Sequence, residues 1–347
     1  MSGGSGRPAR SYDERDVRVR PSRRGSRPRS KDRPAHADAV PGTVLTIDRG
    51  RYTVAVQDRV IFAMKARELG RKSVVVGDDV GLVGDLRGGP DSLARIVRIH
   101  PRRSVLRRTA DDTDPVERII VANADQLAIV TALAEPEPRP RMIDRCLVAA
   151  YDAGMDPLLV LTKADLQAPD ALLATYAPLE VPYVVTSLVG GAARTPGDNS
   201  EDVTGSLREL LRDRVTVLVG HSGVGKSTLV NALVPGAART TGVVNDVTGR
   251  GRHTSTSAIA LPLPGGGTIV DTPGIRSFGL AHVDPRGFVD HFPELAEGTD
   301  ECPRGCSHDE PECGLDDWVA AGHAGAAGPA RLDSLRRLLR ARSRPEA

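Results

Sequence analysis

The stretch with the clearest chemical meaning is rich in glycine and follows a short apolar run. Val215–Val219 leads into Gly-His-Ser-Gly-Val-Gly-Lys-Ser, and a helical pattern follows. Glycines let such a loop curl so that successive N–H groups point at phosphate oxygens, while a lysine and a hydroxyl reach the phosphates and Mg²⁺. The pattern predicts a nucleoside-triphosphate site formed by Gly220, His221, Ser222, Gly223, Val224, Gly225, Lys226, Ser227 and Thr228.

A second pattern, Asp-Thr-Pro-Gly, begins at Asp271, directly after the strand-like run Thr268–Val270. In GTPases a D-x-x-G segment at this place holds Mg²⁺ through water and senses the γ-phosphate through a backbone N–H. We therefore expect Asp271 to serve the metal ion and Gly274 to serve the γ-phosphate.

The residues that would recognise the base lie upstream. The run Leu158–Leu161 ends in Thr-Lys-Ala-Asp, a variant of the N-K-x-D pattern with Thr162 in place of Asn. The Asp165 carboxylate would accept both N–H donors of guanine, and Lys163 would lie along the ring and brace the phosphate loop. Replacing Asn by Thr removes one amide contact. The predicted site for GTP or GDP is completed by Thr162, Lys163, Ala164, Asp165 and, after the next strand, Ser187.

The order of these patterns is unusual, because the base motif precedes the phosphate loop and the D-x-x-G segment comes last. This order is a cyclic rearrangement of the common one and predicts a circularly permuted GTPase. The chain after Gly274 then leads directly into the C-terminal part, so a movement that depends on the γ-phosphate could be transmitted there.

Three cysteines and a histidine near the C-terminus have the spacing of a metal site. Cys302, Cys306, His308 and Cys313 offer three thiolates and an imidazole, the ligand set of a closed, tetrahedral, structural Zn²⁺ site for one ion. The alternative is a loop with reduced, unligated cysteines. Cys146 stands alone on a predicted helix and is expected to pack as a small apolar residue.

The elements that position these residues follow two different sequence patterns. Between Gly42 and about Ile99, short alternating runs predict a small β-barrel, with the oligonucleotide-binding type as the natural candidate and another small barrel as the alternative. These runs include Thr43–Ile47, Tyr52–Gln57, Val60–Met64, Ser73–Val76 and Asp79–Val83.

From about Ile119 onward, apolar strand-like runs alternate with helical stretches, which predicts a parallel α/β sheet. The predicted strands are Gln126–Thr131, Leu158–Thr162, Tyr183–Thr186, Val215–Val219 and Thr268–Val270, and the predicted helices include Arg141–Ala153 and Thr228–Leu233. A further helix, Ala330–Arg342, places its leucines on one face. Packing on its own protein is favoured over RNA binding by this helix.

Charge is unevenly distributed along the chain. Residues 1–38 hold 11 Lys and Arg against 5 Asp and Glu, whereas the remainder holds 36 against 40. The first segment is too polar to build a core and is expected to be disordered, either as a solvating tail or as a basic arm on RNA phosphates. Aromatic residues make up 3% of the chain, which argues against extensive base stacking. No run reaches the ~18 apolar residues of a membrane span, so we expect a cytoplasmic protein without a membrane partner.

Residues 40–325 resemble the ribosome small-subunit-dependent GTPase A family. Asn123-Ala124-Asp125-Gln126 looks like the start of that family's GTPase sheet, and the stretch from Gly251 to Thr256 is similar to its first switch. After the basic tail at 1–38, the resemblance implies an OB-like barrel at 39–105, a permuted GTPase domain at 106–280 and a zinc-binding, mainly helical domain at 281–347. It also implies a protein that binds the small ribosomal subunit and its rRNA, assists late maturation of that subunit, and hydrolyses GTP faster when bound to it. We expect this protein to be a monomer.

The catalytic group is the least defined part of the site. Many GTPases place a Gln after D-x-x-G to orient water, but this chain has Ile275, and an aliphatic side chain cannot do so. His253, carried over from the family's switch, is the candidate, with a solvated loop histidine as the alternative. Thr254 or Thr256 would supply the switch hydroxyl to Mg²⁺. Slow intrinsic turnover is expected.

Three other functions fit parts of the sequence. A constitutive RNA-binding module could use its nucleotide only structurally, and a P-loop ATPase or kinase could share the glycine-rich loop. A permuted GTPase acting on the large subunit is the third; the barrel and the Cys/His cluster argue against it through the resemblance.

Overall fold

The structure, a computed structural model, describes residues 36–70, 73–89, 92–108, 118–187, 203–235, 258–272, 280, 283–284 and 287–343. Most of the predicted tail at 1–38 therefore lies outside the described residues. Four predicted site residues also lie outside them, namely His253, Thr254, Thr256 and Gly274.

The first five strands close into a barrel. They are β1 (Val40–Asp48), β2 (Arg51–Val56), β3 (Arg59–Lys65), β4 (Asp79–Gly84) and β5 (Ala94–Ile99). The pairing runs β1-β2-β3-β5-β4 and returns to β1, with β3–β5 as the parallel pair and all others antiparallel. Alternate residues such as Val54, Ile61 and Leu82 are fully buried inside. The predicted small barrel is confirmed as a five-stranded one.

One predicted strand of this barrel is wrong. Ser73–Val76 forms no strand, because the buried Asp78 carboxylate accepts the N–H of Val75 at 2.8 Å and thereby turns the chain. Gly77 has φ of 85° in the same turn and packs so closely on the Ala122 carbonyl that a side chain would collide with it. A local hydrogen bond to a side chain has replaced the strand ladder.

The fifth strand is Ala94–Ile99 instead. The apolar residues of the mistaken run are nevertheless buried, but in two different places. Val74 packs inside the barrel, whereas Val76 packs in the neighbouring core and forms a single bridge with Val121. An apolar run that divides between two cores imitates the alternation of a strand.

The second part is an α/β sheet. A hairpin, β6 (Val105–Arg108) and β7 (Arg118–Ala122), connects the barrel to it. Its strands are β8 (Gln126–Ala132), β9 (Asp156–Thr162), β10 (Tyr183–Val185), β11 (Val215–Val219), β12 (Ile259–Pro262) and β13 (Thr268–Asp271), and its helices are α1 (Pro140–Asp152), α2 (Asp170–Tyr176), α3 (Val203–Leu211) and α4 (Lys226–Leu233).

These strands lie in the order β10-β9-β8-β11-β13-β12, and all pairs are parallel except β12–β13. Every residue of β8 is buried, as expected for a strand covered on both faces. Cys146 is fully buried on α1, in agreement with the prediction that it packs as an apolar residue. The predicted parallel α/β sheet is confirmed.

Backbone pairing and side-chain hydrogen bonds join the barrel to the α/β sheet. Strand β12 pairs with β1 through Ile259 and Thr46, so that the strands form one continuous eleven-stranded sheet. Asn123, at the start of the α/β part, donates from Nδ2 to the Gly77 carbonyl of the barrel at 2.9 Å. The barrel is therefore hydrogen-bonded to the sheet rather than attached by the chain alone.

The C-terminal part consists of short helices and one long one. Two 3-10 turns (Val289–His291 and Thr299–Glu301) accompany α5 (Pro293–Ala296), α6 (Gly314–Ala320) and α7 (Gly328–Ser343). Helix α7 buries Leu332, Leu335, Leu338 and Leu339, and packs on α1. The preference for packing on its own protein is confirmed. Within the described residues, no helix combines the length and apolar character needed to cross a membrane.

Candidate nucleotide site and candidate metal centre

The phosphate loop leaves the middle of the sheet at the end of β11. Gly220 lies so close to β8 that an added Cβ would stand 2.5 Å from the Val130 carbonyl oxygen. Gly223 and Gly225 have φ of 86° and 90°, a region that glycine enters at little cost. Lys226 then begins α4, and Ser227 and Thr228 are exposed on its first turn. The glycines therefore stand where the backbone needs them.

The base motif lies beside this loop, because β9 and β11 flank β8 and end at the same edge of the sheet. Thr162, 2% exposed, donates its hydroxyl to the Val224 carbonyl oxygen at 2.6 Å. The amide contact expected to be lost when Thr replaces Asn is thus offset by a hydroxyl bond to the phosphate loop. Sequence reasoning missed this tie, since nothing in the local pattern reveals which carbonyl a hydroxyl reaches.

The residues assigned to guanine meet at the next strand end. Ser187 donates its hydroxyl to Asp165 Oδ1 at 2.6 Å, and the Ala164 N–H donates to the Thr186 carbonyl at 3.1 Å. The carboxylate is therefore held in place by the loop that follows β10. A fixed carboxylate at the carboxyl edge of a parallel sheet is well placed to receive the paired N–H donors of a base.

Lys163 adopts a left-handed conformation with φ of 59° and donates from Nζ to the Glu135 carbonyl. Pro136, the residue that follows Glu135, lies 3.5 Å from the point where a Cβ on Gly223 would stand. The loop that Lys163 binds is therefore the one that borders the phosphate loop, which agrees with the predicted bracing role.

Lys226 and Asp271 form an ion pair across the site. The Nζ–Oδ1 distance is 2.6 Å, and Nζ also donates to the Thr272 carbonyl at 3.0 Å. The register of β11 and β13 sets Asp271 beside Leu218, and Thr272 donates its hydroxyl to the Leu218 carbonyl at 2.7 Å. With a ligand bound, the lysine would pair with phosphate and the aspartate with a divalent cation, and the ion pair between them would separate. The sequence predicted both residues but not their mutual contact.

The cysteine cluster is assembled as predicted. Cys302 Sγ lies 3.5 Å from His308 Nδ1 and 3.9 Å from Cys313 Sγ, and Cys313 Sγ lies 3.9 Å from the same nitrogen. With Cys306 Sγ, the four ligand atoms all lie within 4.8 Å of one another. Tetrahedral Zn²⁺, with bonds of about 2.3 Å to sulfur and about 2.0 Å to nitrogen, separates its ligands by roughly 3.5–3.8 Å. The donor set and its spacing fit such an ion.

The surroundings of this cluster affect both its ionisation and its position. Burial raises the pKa of the Cys306 thiol to about 12, so that this thiol would ionise only beside a cation. The guanidinium of Arg336 on α7 donates to the His308 carbonyl at 2.9 Å and forms two hydrogen bonds with the Asp316 carboxylate, at 2.8 and 2.6 Å. The long terminal helix therefore fixes the loop that carries the histidine.

The base motif, the phosphate loop and the start of the D-x-x-G segment lie at one edge of a parallel sheet, in a permuted chain order. Fold and site together define a circularly permuted P-loop GTPase. The family model described as "RsgA GTPase" matches residues 99–281, more than half of the chain. The protein belongs to the RsgA GTPase family, and GTP hydrolysis is its activity.

Several curated relatives carry the description "Small ribosomal subunit biogenesis GTPase RsgA". The one from Pseudomonas aeruginosa (strain LESB58) is 40% identical over 275 residues, 77% of this chain and 75% of the relative. The one from Gemmatimonas aurantiaca is 37% identical over 297 residues, 84% and 90% of the two chains. The one from Streptomyces coelicolor is 36% identical over 317 residues, 88% and 81%.

Solved structures agree with this assignment. YjeQ from Thermotoga maritima is 26% identical, with a TM-score of 0.62 over 87% of this chain and 98% of its own. YloQ, described as a circularly permuted GTPase, shares the fold at 21% identity, with a TM-score of 0.60 over 91% and 100% of the two chains. The permuted order inferred from the motifs is thus confirmed.

Proposed function

We propose that this protein is a GTP-hydrolysing factor that binds the small ribosomal subunit, assists its late maturation, and hydrolyses GTP faster when bound to it. The observation that carries the proposal is the shared description of relatives that are 36–40% identical over three quarters or more of both chains. The nucleotide site supplies the chemistry that such a switch requires.

In this mechanism the guanine is read by Asp165, whose carboxylate accepts the base's N–H donors while the Ser187 hydroxyl holds it in place. Lys163 lies along the ring. The backbone of the glycine-rich loop and the start of α4 surround the phosphates, where N–H groups and the helix dipole favour negative charge. Thr162 keeps the base motif and the phosphate loop in register.

Lys226 leaves Asp271 to bind the β- and γ-phosphates. Ser227 and Asp271, the latter through water, would hold Mg²⁺, which supplies charge neutralisation on the phosphates when bound. Gly274 would sense the γ-phosphate, and Thr254 or Thr256 would add the switch hydroxyl. His253, or a group of the subunit, would orient the attacking water.

We assign one structural Zn²⁺ to Cys302, Cys306, His308 and Cys313, because four protein ligands leave no position for a reacting molecule. The barrel at 39–105 and the basic segment 1–38 are the parts we assign to rRNA. In keeping with its subunit partner, we expect the protein to act as a monomer in the cytoplasm.

The test is release of phosphate from GTP by the full-length protein, alone and with separated ribosomal subunits. We expect the small subunit to accelerate release and the large subunit to have no effect. Co-sedimentation in a non-hydrolysable GTP analogue should fail for Lys226→Ala if nucleotide controls docking. Acceleration by the large subunit, or by neither subunit, would refute the proposed partner while leaving GTP hydrolysis intact.

A further inference from the structure

The second residue of the phosphate loop is a buried histidine. His221 is 8% exposed, and its Nδ1 lies 2.9 Å from the carbonyl oxygen of the next residue, Ser222. A carbonyl can only accept a hydrogen bond, so Nδ1 is the donor in this contact. The other ring nitrogen, Nε2, is buried and has no hydrogen-bond partner among the described residues.

A buried polar atom without a partner has a free-energy cost, which an apolar side chain of similar size would avoid. A side chain that only fills space at this position would therefore be better without ring nitrogens. The bond from Nδ1 to the Ser222 carbonyl is the interaction that justifies an imidazole here.

The carbonyl of Val224, two residues after Ser222 in the phosphate loop, also accepts a hydrogen bond from a side chain. Thr162 donates to the Val224 carbonyl at 2.6 Å, so the carbonyls of Ser222 and Val224 are both held by side chains. In a trans peptide the C=O and the following N–H point in opposite directions. Holding these two carbonyls therefore turns the N–H groups of Gly223 and Gly225 away from His221 and Thr162. A P-loop needs such N–H groups directed at the phosphates.

Gly223 makes this restraint necessary. A peptide between Ser222 and Gly223 can flip by rotating ψ of the first residue and φ of the second, and glycine accepts either sign of φ. Without a bond to the Ser222 carbonyl, the N–H of Gly223 would be free to turn away from the ligand. We propose that His221 is a positioning residue for nucleotide phosphates, acting through the Ser222–Gly223 peptide and not by touching the nucleotide.

The proposal rests on the nucleotide site alone, and its test uses no ribosomal subunit, so it can fail independently of the proposed partner. Two near-isosteric substitutions provide the comparison. His221→Asn keeps an N–H donor at the δ position, whereas His221→Leu has the same branching and no donor. Affinities for fluorescent GDP and for a fluorescent non-hydrolysable GTP analogue would be measured at equilibrium, with guanosine as a competitor that reports on the base site only.

We expect His221→Leu to weaken both nucleotides about tenfold, the value of one hydrogen bond, and His221→Asn to recover most of that loss. Guanosine should compete equally well in all three proteins, which separates phosphate positioning from general damage. If His221→Leu does not fold, His221→Met supplies the variant without a donor. Unchanged nucleotide affinity in the donor-free variant, equal loss in the Asn and donor-free variants, or a parallel loss of guanosine affinity would overturn the proposal.

Discussion

Thr162 connects the two halves of the nucleotide site through one hydroxyl group. The residue is almost fully buried, and its Oγ1 lies 2.6 Å from the Val224 carbonyl oxygen. Because the bond joins the base motif to the phosphate loop, it fixes the distance between the predicted guanine and phosphate sites. The threonine hydroxyl thus provides a hydrogen bond at the position where the common motif has an asparagine amide.

Replacing this hydroxyl tests the tie. Thr162→Val keeps the shape but leaves the Val224 carbonyl buried without a donor, at a cost of about 1–3 kcal/mol. We expect GDP affinity to fall roughly 5- to 150-fold by equilibrium titration. Thr162→Ser retains the donor and is the matched control. Equal weakening in both variants would mean that the methyl group, not the hydroxyl, matters.

The residues of this candidate site could be predicted from sequence because phosphate and guanine chemistry requires particular residue types at fixed spacing. The contacts among them could not. Lys226 and Asp271 were each assigned to a separate ligand, yet they pair at 2.6 Å because parallel pairing of β11 and β13 brings them together. His253 and the switch threonines stay predictions.

Among the elements, α7 is bound to helix α1 by hydrogen bonds that involve the buried charged side chains Asp144 and Arg145. Arg337 donates to Asp144 on α1 at 3.1 Å, and Arg145 on α1 donates to the Ala341 carbonyl at 2.8 Å. The Asp144 side chain is only 5% exposed, and burial raises its pKa while the Arg337 charge opposes that shift. The arginine therefore compensates a charge that water cannot reach.

Removing Arg337 should therefore be costly. Arg337→Ala leaves Asp144 buried and unpaired, and we expect a loss of about 3 kcal/mol in the free energy of unfolding near pH 7. Arg340→Ala is the control on the same helix, since its partner Asp309 is more exposed, and it should cost about 1 kcal/mol or less. Urea denaturation of the two variants measures both values.

The pH dependence has a definite sign. A carboxyl whose folded pKa is raised favours the folded state when protonated, and that stability is lost as pH rises through the folded pKa. The deficit of Arg337→Ala should therefore shrink as pH falls below the raised pKa of Asp144. Equal losses for both arginine variants, or a deficit independent of pH, would contradict a buried unpaired charge.

The candidate metal loop lies next to an intrinsic fluorophore. The single tryptophan of the chain, Trp318, lies on α6, shortly after the proposed ligand Cys313, and donates from Nε1 to the Glu294 carbonyl at 2.9 Å. We expect a strong zinc chelator, or Cys313→Ala, to remove the metal and shift tryptophan emission toward that of an exposed indole, since structural zinc stabilises its loop directly.

Elemental analysis should find about one zinc per chain in the native protein and a clear deficit in Cys313→Ala. Cys146→Ala removes a cysteine that lies on α1, away from the cluster, and should retain the metal. Full zinc content in both variants would argue against Cys313 as a ligand.

Elements with a strong local pattern were predicted well. Val215–Val219 matches β11, and the predicted Leu158–Thr162 falls within β9, because buried parallel strands are continuous apolar runs. Ser73–Val76 failed and β5 was missed, because there a turn made by Asp78 and burial in two cores outweigh the local pattern. Strand β12 was also not predicted, because it is only four residues long and ends in proline.

At the scale of the whole molecule, the permuted order is confirmed, whereas the boundaries 39–105, 106–280 and 281–347 stay predictions. The chain order suggested that the C-terminal part could move with the γ-phosphate switch. Helix α7 binds α1 through Arg337 and Arg145, so any such movement must either carry α1 along or break these contacts. The ribosomal partner could be inferred only through resemblance, because no local pattern in the chain encodes it.

The pairing of β12 with β1 also affects what would remain if the barrel were removed. Strand β12 has the apolar sequence Ile-Ala-Leu-Pro and is covered on one side by β13 and on the other by the barrel. A chain starting at residue 106 would leave its backbone N–H and C=O groups open to pairing with other molecules, a common route to aggregation. The barrel therefore also covers part of this edge, and we expect its removal to favour edge-to-edge association of the GTPase sheet.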